Sequence, residues 1–99
     1  MSTENRLLSI ICEAVLESFL EQELPNLGAT GYTITDARGS GHHGRRSGAW
    51  SRDGNIRIDV LCTPETLDNI VEHLRERYAK DYALKVFAVQ AESFEMMGM

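Results

Sequence analysis

The sequence predicts an α+β domain with the element order β-α-β-β-α-β. Two stretches have helical periodicity, four have strand character, and a long glycine-rich loop separates the two middle strands. Arg6 to Cys12 (RLLSIIC) is a short apolar run that reads as the first strand. Glu13 to Leu24 then changes period: Val15, Leu16, Phe19, Leu20 and Leu24 recur at helical spacing, with Glu13, Glu17 and Glu21 on the other face. Pro25 and Gly28 are read as its end. Gly31 to Ala37 (GYTITDA) is rich in β-branched and aromatic residues and reads as the second strand. Asn55 to Cys62 alternates Ile56, Ile58 and Val60 with Arg57 and Asp59, a third strand with one buried face.

Thr63-Pro64-Glu65 is a helix start: a threonine cap, a proline at the first helical position and an acid in the first turn. Leu67, Ile70, Val71, Leu74 and Tyr78 give this second helix an apolar face, and the sequence leaves His73 on its exposed acidic side. Tyr82 to Phe94 is the fourth strand and the tail Met96 to Met99 is read as loose. This order is the ferredoxin-like arrangement, with an antiparallel sheet and both helices on one face. Strand four is apolar on both parities (Leu84, Val86, Ala88 and Phe87, Val89, Ala91). That pattern predicts burial on both sides and association of identical chains through the sheet; a covered core edge is the alternative.

Ninety-nine residues predict one domain, 1–99, containing the loop 38–54. A net charge of −5 argues against a surface that binds nucleic acid or anionic membrane as a whole. No segment approaches the roughly 20 apolar residues of a membrane span. The opening residues Met1 to Asn5 lack the basic start of a secretory signal, so a cytoplasmic location is expected. Cys12 and Cys62 lie isolated in apolar segments and are expected to be reduced core thiols.

The loop 38–54 holds five of the eight glycines, four of the ten Lys and Arg and two of the three histidines, and counts +3 against −8 for the remainder. Glycine amides can approach an anion closely, and arginines grip phosphate or carboxylate as a planar fork. Gly39 and Gly41 follow a strand but open no helix, so they form neither a Walker nor a Rossmann fingerprint. Arg38, Arg45 and Arg46 can neutralise a diphosphate or meet a protein. His42 and His43 lack further ligands at metal spacing, so an anion contact is preferred and no metal or cofactor is expected. Trp50 either packs on the body or anchors a partner.

The string Gly28-Ala29-Thr30-Gly31-Tyr32-Thr33-Ile34-Thr35-Asp36-Ala37-Arg38-Gly39-Ser40-Gly41 resembles the second strand of PII signalling proteins as it leads into their long T-loop. Ile56-Arg57-Ile58-Asp59-Val60 resembles the family's third strand. Tyr78-Ala79-Lys80-Asp81-Tyr82-Ala83 with Val86-Phe87-Ala88 resembles the PII-like branch linked to inorganic-carbon uptake and carboxysomes. The resemblance spans nearly the whole chain. It implies a non-enzymatic homotrimer that senses adenine nucleotides in clefts between subunits and signals to a transporter or carbon-metabolism enzyme.

By position it implies nucleotide contacts from Gly31, Thr33, Gly39, Gly41, Arg46 and Lys85. It adds bicarbonate as a second ligand, for which the residues offer Arg38, His43 and Arg46 as a small-anion site, and the loop residues Arg45, Trp50 and Arg52 are read as facing a partner. The chain also departs from the family pattern. The glycine-rich phosphate segment before the last strand is reduced to Ala79-Lys80-Asp81, which favours ADP or AMP over ATP. His43 replaces the loop glutamine that serves 2-oxoglutarate, and no tyrosine for uridylylation occurs between Arg38 and Gly54. Two other readings remain open from the residues: an RNA-binding module using the Arg/Gly loop, and a small phosphate-handling enzyme of the same fold.

Overall fold

Alternating apolar and polar residues along adjacent extended segments build a four-stranded sheet with one dry face. The computed structural model describes residues 2–39, 54–94 and 96. The strands are β1 (Ser2–Glu13), β2 (Thr33–Ala37), β3 (Asn55–Cys62) and β4 (Leu84–Phe94), and the helices are α1 (Glu17–Asn26) and α2 (Pro64–Arg77). The strand order is β2-β3-β1-β4 and every neighbouring pair is antiparallel, the ferredoxin-like topology read from the sequence.

The registers combine into rungs that cross the whole sheet. One runs Thr35–Arg57–Ile11–Lys85, the next Ile34–Ile58–Ile10–Val86, the next Thr33–Asp59–Ser9–Phe87. Successive rungs face opposite sides. Leu8, Ile10, Cys12, Ile56, Ile58 and Val60 point to the helix side and are buried, together with Leu16, Leu20 and Leu24 of the first helical segment and Ile70 and Leu74 of α2. Each such Leu, Ile or Val contributes about 1.5–3 kcal/mol by leaving water.

The first helical segment differs from its sequence reading. Glu13 provides no side-chain cap, because its carboxylate accepts from the Ala83 amide at 3.0 Å. The Ala14 amide donates to the Gly54 carbonyl. The chain therefore enters through a 3₁₀ turn, Ala14–Leu16, before α1 begins. That tighter turn rotates Val15 off the buried face, and Phe19 stands about 100° around the axis from Leu20. Both were expected inside; they are 62 % and 51 % exposed.

Pro25 sits within the last turn of α1 and does not end it. The stop is a Schellman motif on Gly28: Gly28 donates to the Pro25 carbonyl and Ala29 to the Leu24 carbonyl, both at 3.1 Å. Gly28 has φ +112°, and a Cβ there would stand 2.6 Å from the Thr66 hydroxyl, so glycine is required twice over. α2 starts as read, with the Thr63 hydroxyl accepting from the Thr66 amide at 3.2 Å. β1 extends beyond its expected span at both ends, starting at Ser2 and ending at Glu13, because β4 pairs along it from Ser2↔Phe94 to Cys12↔Leu84. β2 and β4 begin later than the sequence pattern indicated, at Thr33 and Leu84.

Candidate functional site

All connections at one end of the sheet converge. The end of β1, the end of β2 and the starts of β3 and β4 lie there, so Glu13, Arg38, Gly39, Gly54 and Ala83 share that end. Two bonds tie it together. The Ala14 amide donates to Gly54, where the chain returns from residues 40–53. The Glu13 carboxylate accepts from the Ala83 amide, close before Lys85 in the chain.

Thr33 lies exposed on β2 and its register with Asp59 puts it on the face away from the helices. Lys85 pairs with Ile11 and is exposed on that same face of β4. β2 and β4 are the two sheet edges, three strand spacings or roughly 14 Å apart. One chain therefore cannot bring Thr33 and Lys85 to the same small group. Gly31 and Gly39 have no neighbour within 4 Å of an added Cβ, so nothing described in their own chain demands glycine at either position. Gly41, His43, Arg45, Arg46, Trp50 and Arg52 lie outside the described residues.

The open face also carries a polar network that sequence reasoning treated only as the solvated side of a strand. Arg57 Nε donates to both Asp59 oxygens, at 3.1 and 3.3 Å, and its Nη2 donates to Ser9 Oγ at 3.2 Å. Ser9 Oγ donates in turn to Asp59 at 2.7 Å. The guanidinium carbon sits 5.8 Å from the centre of the Phe87 ring. Opposite charges at i and i+2 of a strand share a face, which was the available signal. The serine and phenylalanine come from β1 and β4, and only strand pairing brings them in.

A second cluster joins the helices. Glu23 of α1 accepts from the Tyr78 hydroxyl at 2.7 and 2.8 Å and meets His73 Nε2 at 2.7 Å. His73 is thus half-buried in a contact, not exposed as the sequence implied. Burial raises the Glu23 pKa, but the Tyr78 and His73 hydrogen bonds outweigh it and the net direction is down. Burial, then the Glu23 contact, pushes the Tyr78 phenol up to about 12. Burial likewise raises both thiols, Cys12 to about 12, and both are free. Among the described residues no three His, Cys, Asp or Glu side chains gather as a metal site, and no helix is long and apolar enough to cross a membrane.

Residues 5–97 match the family described as nitrogen regulatory protein P-II. The chain belongs to that family. A structure described as a PII-like signalling protein from Thermus thermophilus is 36% identical, with a TM-score of 0.78 over 93% of this chain and 91% of that one. The PII-like protein CPII of Thiomonas intermedia K12, solved with ADP, AMP and bicarbonate, is 21% identical, with a TM-score of 0.80 over 95% and 99% of the two chains. The GlnK–ATP complex of B. subtilis superimposes with a TM-score of 0.60 at 18% identity, over 90% and 84%. At those identities the last two show shared fold. The family match and the Thermus relative together make the chain a PII-like signalling protein.

Proposed function

We infer that this protein is a cytoplasmic, single-domain homotrimeric sensor of ADP or AMP, with bicarbonate as a second ligand. It regulates inorganic-carbon metabolism or transport by presenting its ligand state to a protein target through residues 38–54, without catalysis. The observation that carries this reading is the split of Thr33 and Lys85 between opposite sheet edges, each on the open face. A ring of copies sets the β2 edge of one chain beside the β4 edge of the next and completes the site between them. Gly31, Thr33 and Gly39 then serve one side of the nucleotide, with Gly41 and Arg46, and Lys85 of the neighbouring copy reaches a phosphate. Unfilled space at Gly31 and Gly39 lets a ligand approach the backbone closely. Arg38, His43 and Arg46 supply the small-anion contacts, and Arg45, Trp50 and Arg52 face the target. The binding of ADP, AMP and bicarbonate by CPII supports the ligand set.

Calorimetric titration with AMP, ADP and ATP, each with and without bicarbonate, tests the reading. Micromolar binding of one adenylate, strengthened by bicarbonate, is the expected result. Lys85→Ala should weaken ADP roughly 10- to 100-fold, as loss of one charge-assisted hydrogen bond does. No adenylate binding under any of these conditions would overturn the sensor.

A further inference from the structure

An open pocket of about 360 Å³ lies on the helix side of β4. Leu8, Val86 and Ala88 line it from the sheet and Leu74 and Ala79 from the end of α2 and the turn after it. Arg75, its one charged lining residue, forms no ion pair among the described residues. The pocket sits at the β4 edge of the sheet, and no described residue of the chain fills it.

The other edge offers a matching group. Tyr32 immediately precedes β2 and is 36 % exposed. Continuing the alternation of β2 places it with Ile34 on the helix side, opposite in parity to Thr33. Its rung is the one that carries Leu8 and Ala88, two of the pocket residues. β2 and β4 run in opposite directions, so the geometry open to the β4 edge of one copy against the β2 edge of another is an antiparallel pair with continuous faces. A register shifted by about two residues leaves the faces unchanged, because side chains alternate with period two. Tyr32 then stays on the same face and meets Val86, which also lines the pocket.

We propose that Tyr32 of one copy inserts into the pocket between α2 and β4 of the next, where Arg75 lies against its ring. An aromatic body with a polar tip suits an apolar pocket that opens to water, and an arginine without a carboxylate partner suits the ring face. The contact is heterologous, joining two different surfaces, and it closes when the copies form a ring. Its functional consequence rests on the adenylate reading: seating Tyr32 fixes the next residue, Thr33, on the open side near Lys85 of the neighbour. The contact itself does not depend on that reading.

The test compares wild type, Tyr32→Phe, Tyr32→Ala, Arg75→Ala and the pocket-filling variant Ala88→Phe. Assembly is followed by sedimentation velocity across a concentration series, and adenylate binding by calorimetry. Tyr32 is partly exposed in the single chain, so its variants should keep the wild-type far-ultraviolet circular dichroism. Tyr32→Ala and Ala88→Phe should each raise the dissociation constant of the assembly roughly tenfold or more, as loss of an aromatic anchor does. Tyr32→Phe should stay near wild type and Arg75→Ala should fall between. A monomeric wild type, or a Tyr32→Ala protein that assembles like wild type, overturns the contact. A wild type that assembles and responds to these changes but binds no adenylate overturns the sensor and leaves the contact standing. If Ala88→Phe unfolds, the Tyr32 pair alone decides.

Discussion

The two faces of the sheet are built by the same strands, one residue out of phase, and they differ in what completes them. On the helix side Ile10, Ile58 and Val60 are wholly buried by the chain's own helices. On the open side Phe87 and Val89 remain 43 % and 52 % exposed beside the Ser9–Arg57–Asp59 network. Over β1 and β3 the first face is a finished core and accounts for why this chain folds; it opens at the β4 edge, in the pocket lined by Val86 and Ala88. The second combines exposed apolar groups with charges held in fixed geometry, the character of a surface that meets another molecule. β4 belongs to both: it is apolar on both parities, as a strand covered twice would be, yet as an edge strand in a single chain it is fully covered on neither side.

Substitutions in the finished core and on the open face should therefore separate stability from assembly. The largest effect is expected from Ile58→Ala, which opens a cavity in the finished core. Urea denaturation should show a loss of about 2–5 kcal/mol. A loss below that range would mean the helix side is less well packed than the structure describes.

Next comes Tyr78→Phe, which deprives the Glu23 carboxylate of its phenol donor and should cost about 1.5–3 kcal/mol, the range for hydrogen bonds to charged groups. The same pair sets two pH limits. Glu23 titrates lower folded than unfolded, so its stabilisation is present above its ordinary carboxyl range and is lost as pH falls through the depressed value. Tyr78 titrates higher when folded, at about 12 against a usual value of 10.0, so its contribution is intact below 10.0 and declines as pH rises toward about 12. Thermal melts against pH should show a shallower alkaline slope in Tyr78→Phe, the buried thiols keeping the rest, and the acid slope should shrink but persist because His73 still holds Glu23.

Thr63→Ala removes the α2 cap and should cost about 1 kcal/mol by the same denaturation measurement. The smallest effect on the isolated fold is expected from Phe87→Ala, within about 1 kcal/mol, because its ring is already wetted. Its sedimentation coefficient at micromolar concentration should nevertheless drop. If Phe87→Ala instead lowers stability as much as Ile58→Ala, the distinction between the faces fails.

Much of the fold was legible in the residues. Alternation along Asn55–Cys62, the Thr63-Pro64 start of α2 and the apolar runs of β1 and β4 are local patterns, and local patterns fix element type. The misreadings arose where a side chain was claimed by something distant. Glu13 looked like the start of a helix but bonds Ala83, 70 residues away. His73 looked like surface but meets Glu23 across the helix pair. Pro25 looked like a stop, yet the last turn tolerated it and Gly28 ended the helix. Of the expected binding residues, the sequence string placed Thr33, Gly39 and Lys85 near strand ends, but their faces and mutual positions depend on strand registers, which set Thr33 and Lys85 on one face at opposite edges.

By itself, then, the sequence determined which segments are strands and helices, which strand residues face the core, and the family to which the chain belongs. These follow from periodicity, capping chemistry and local motif, all readable within a few residues. The tertiary structure alone decided that Ser9, Arg57, Asp59 and Phe87 form one network, and that Thr33 and Lys85 share a face without sharing an edge. Both follow from the strand registers, which pair residues distant in the chain within the ferredoxin-like order β2-β3-β1-β4 and which no local pattern specifies.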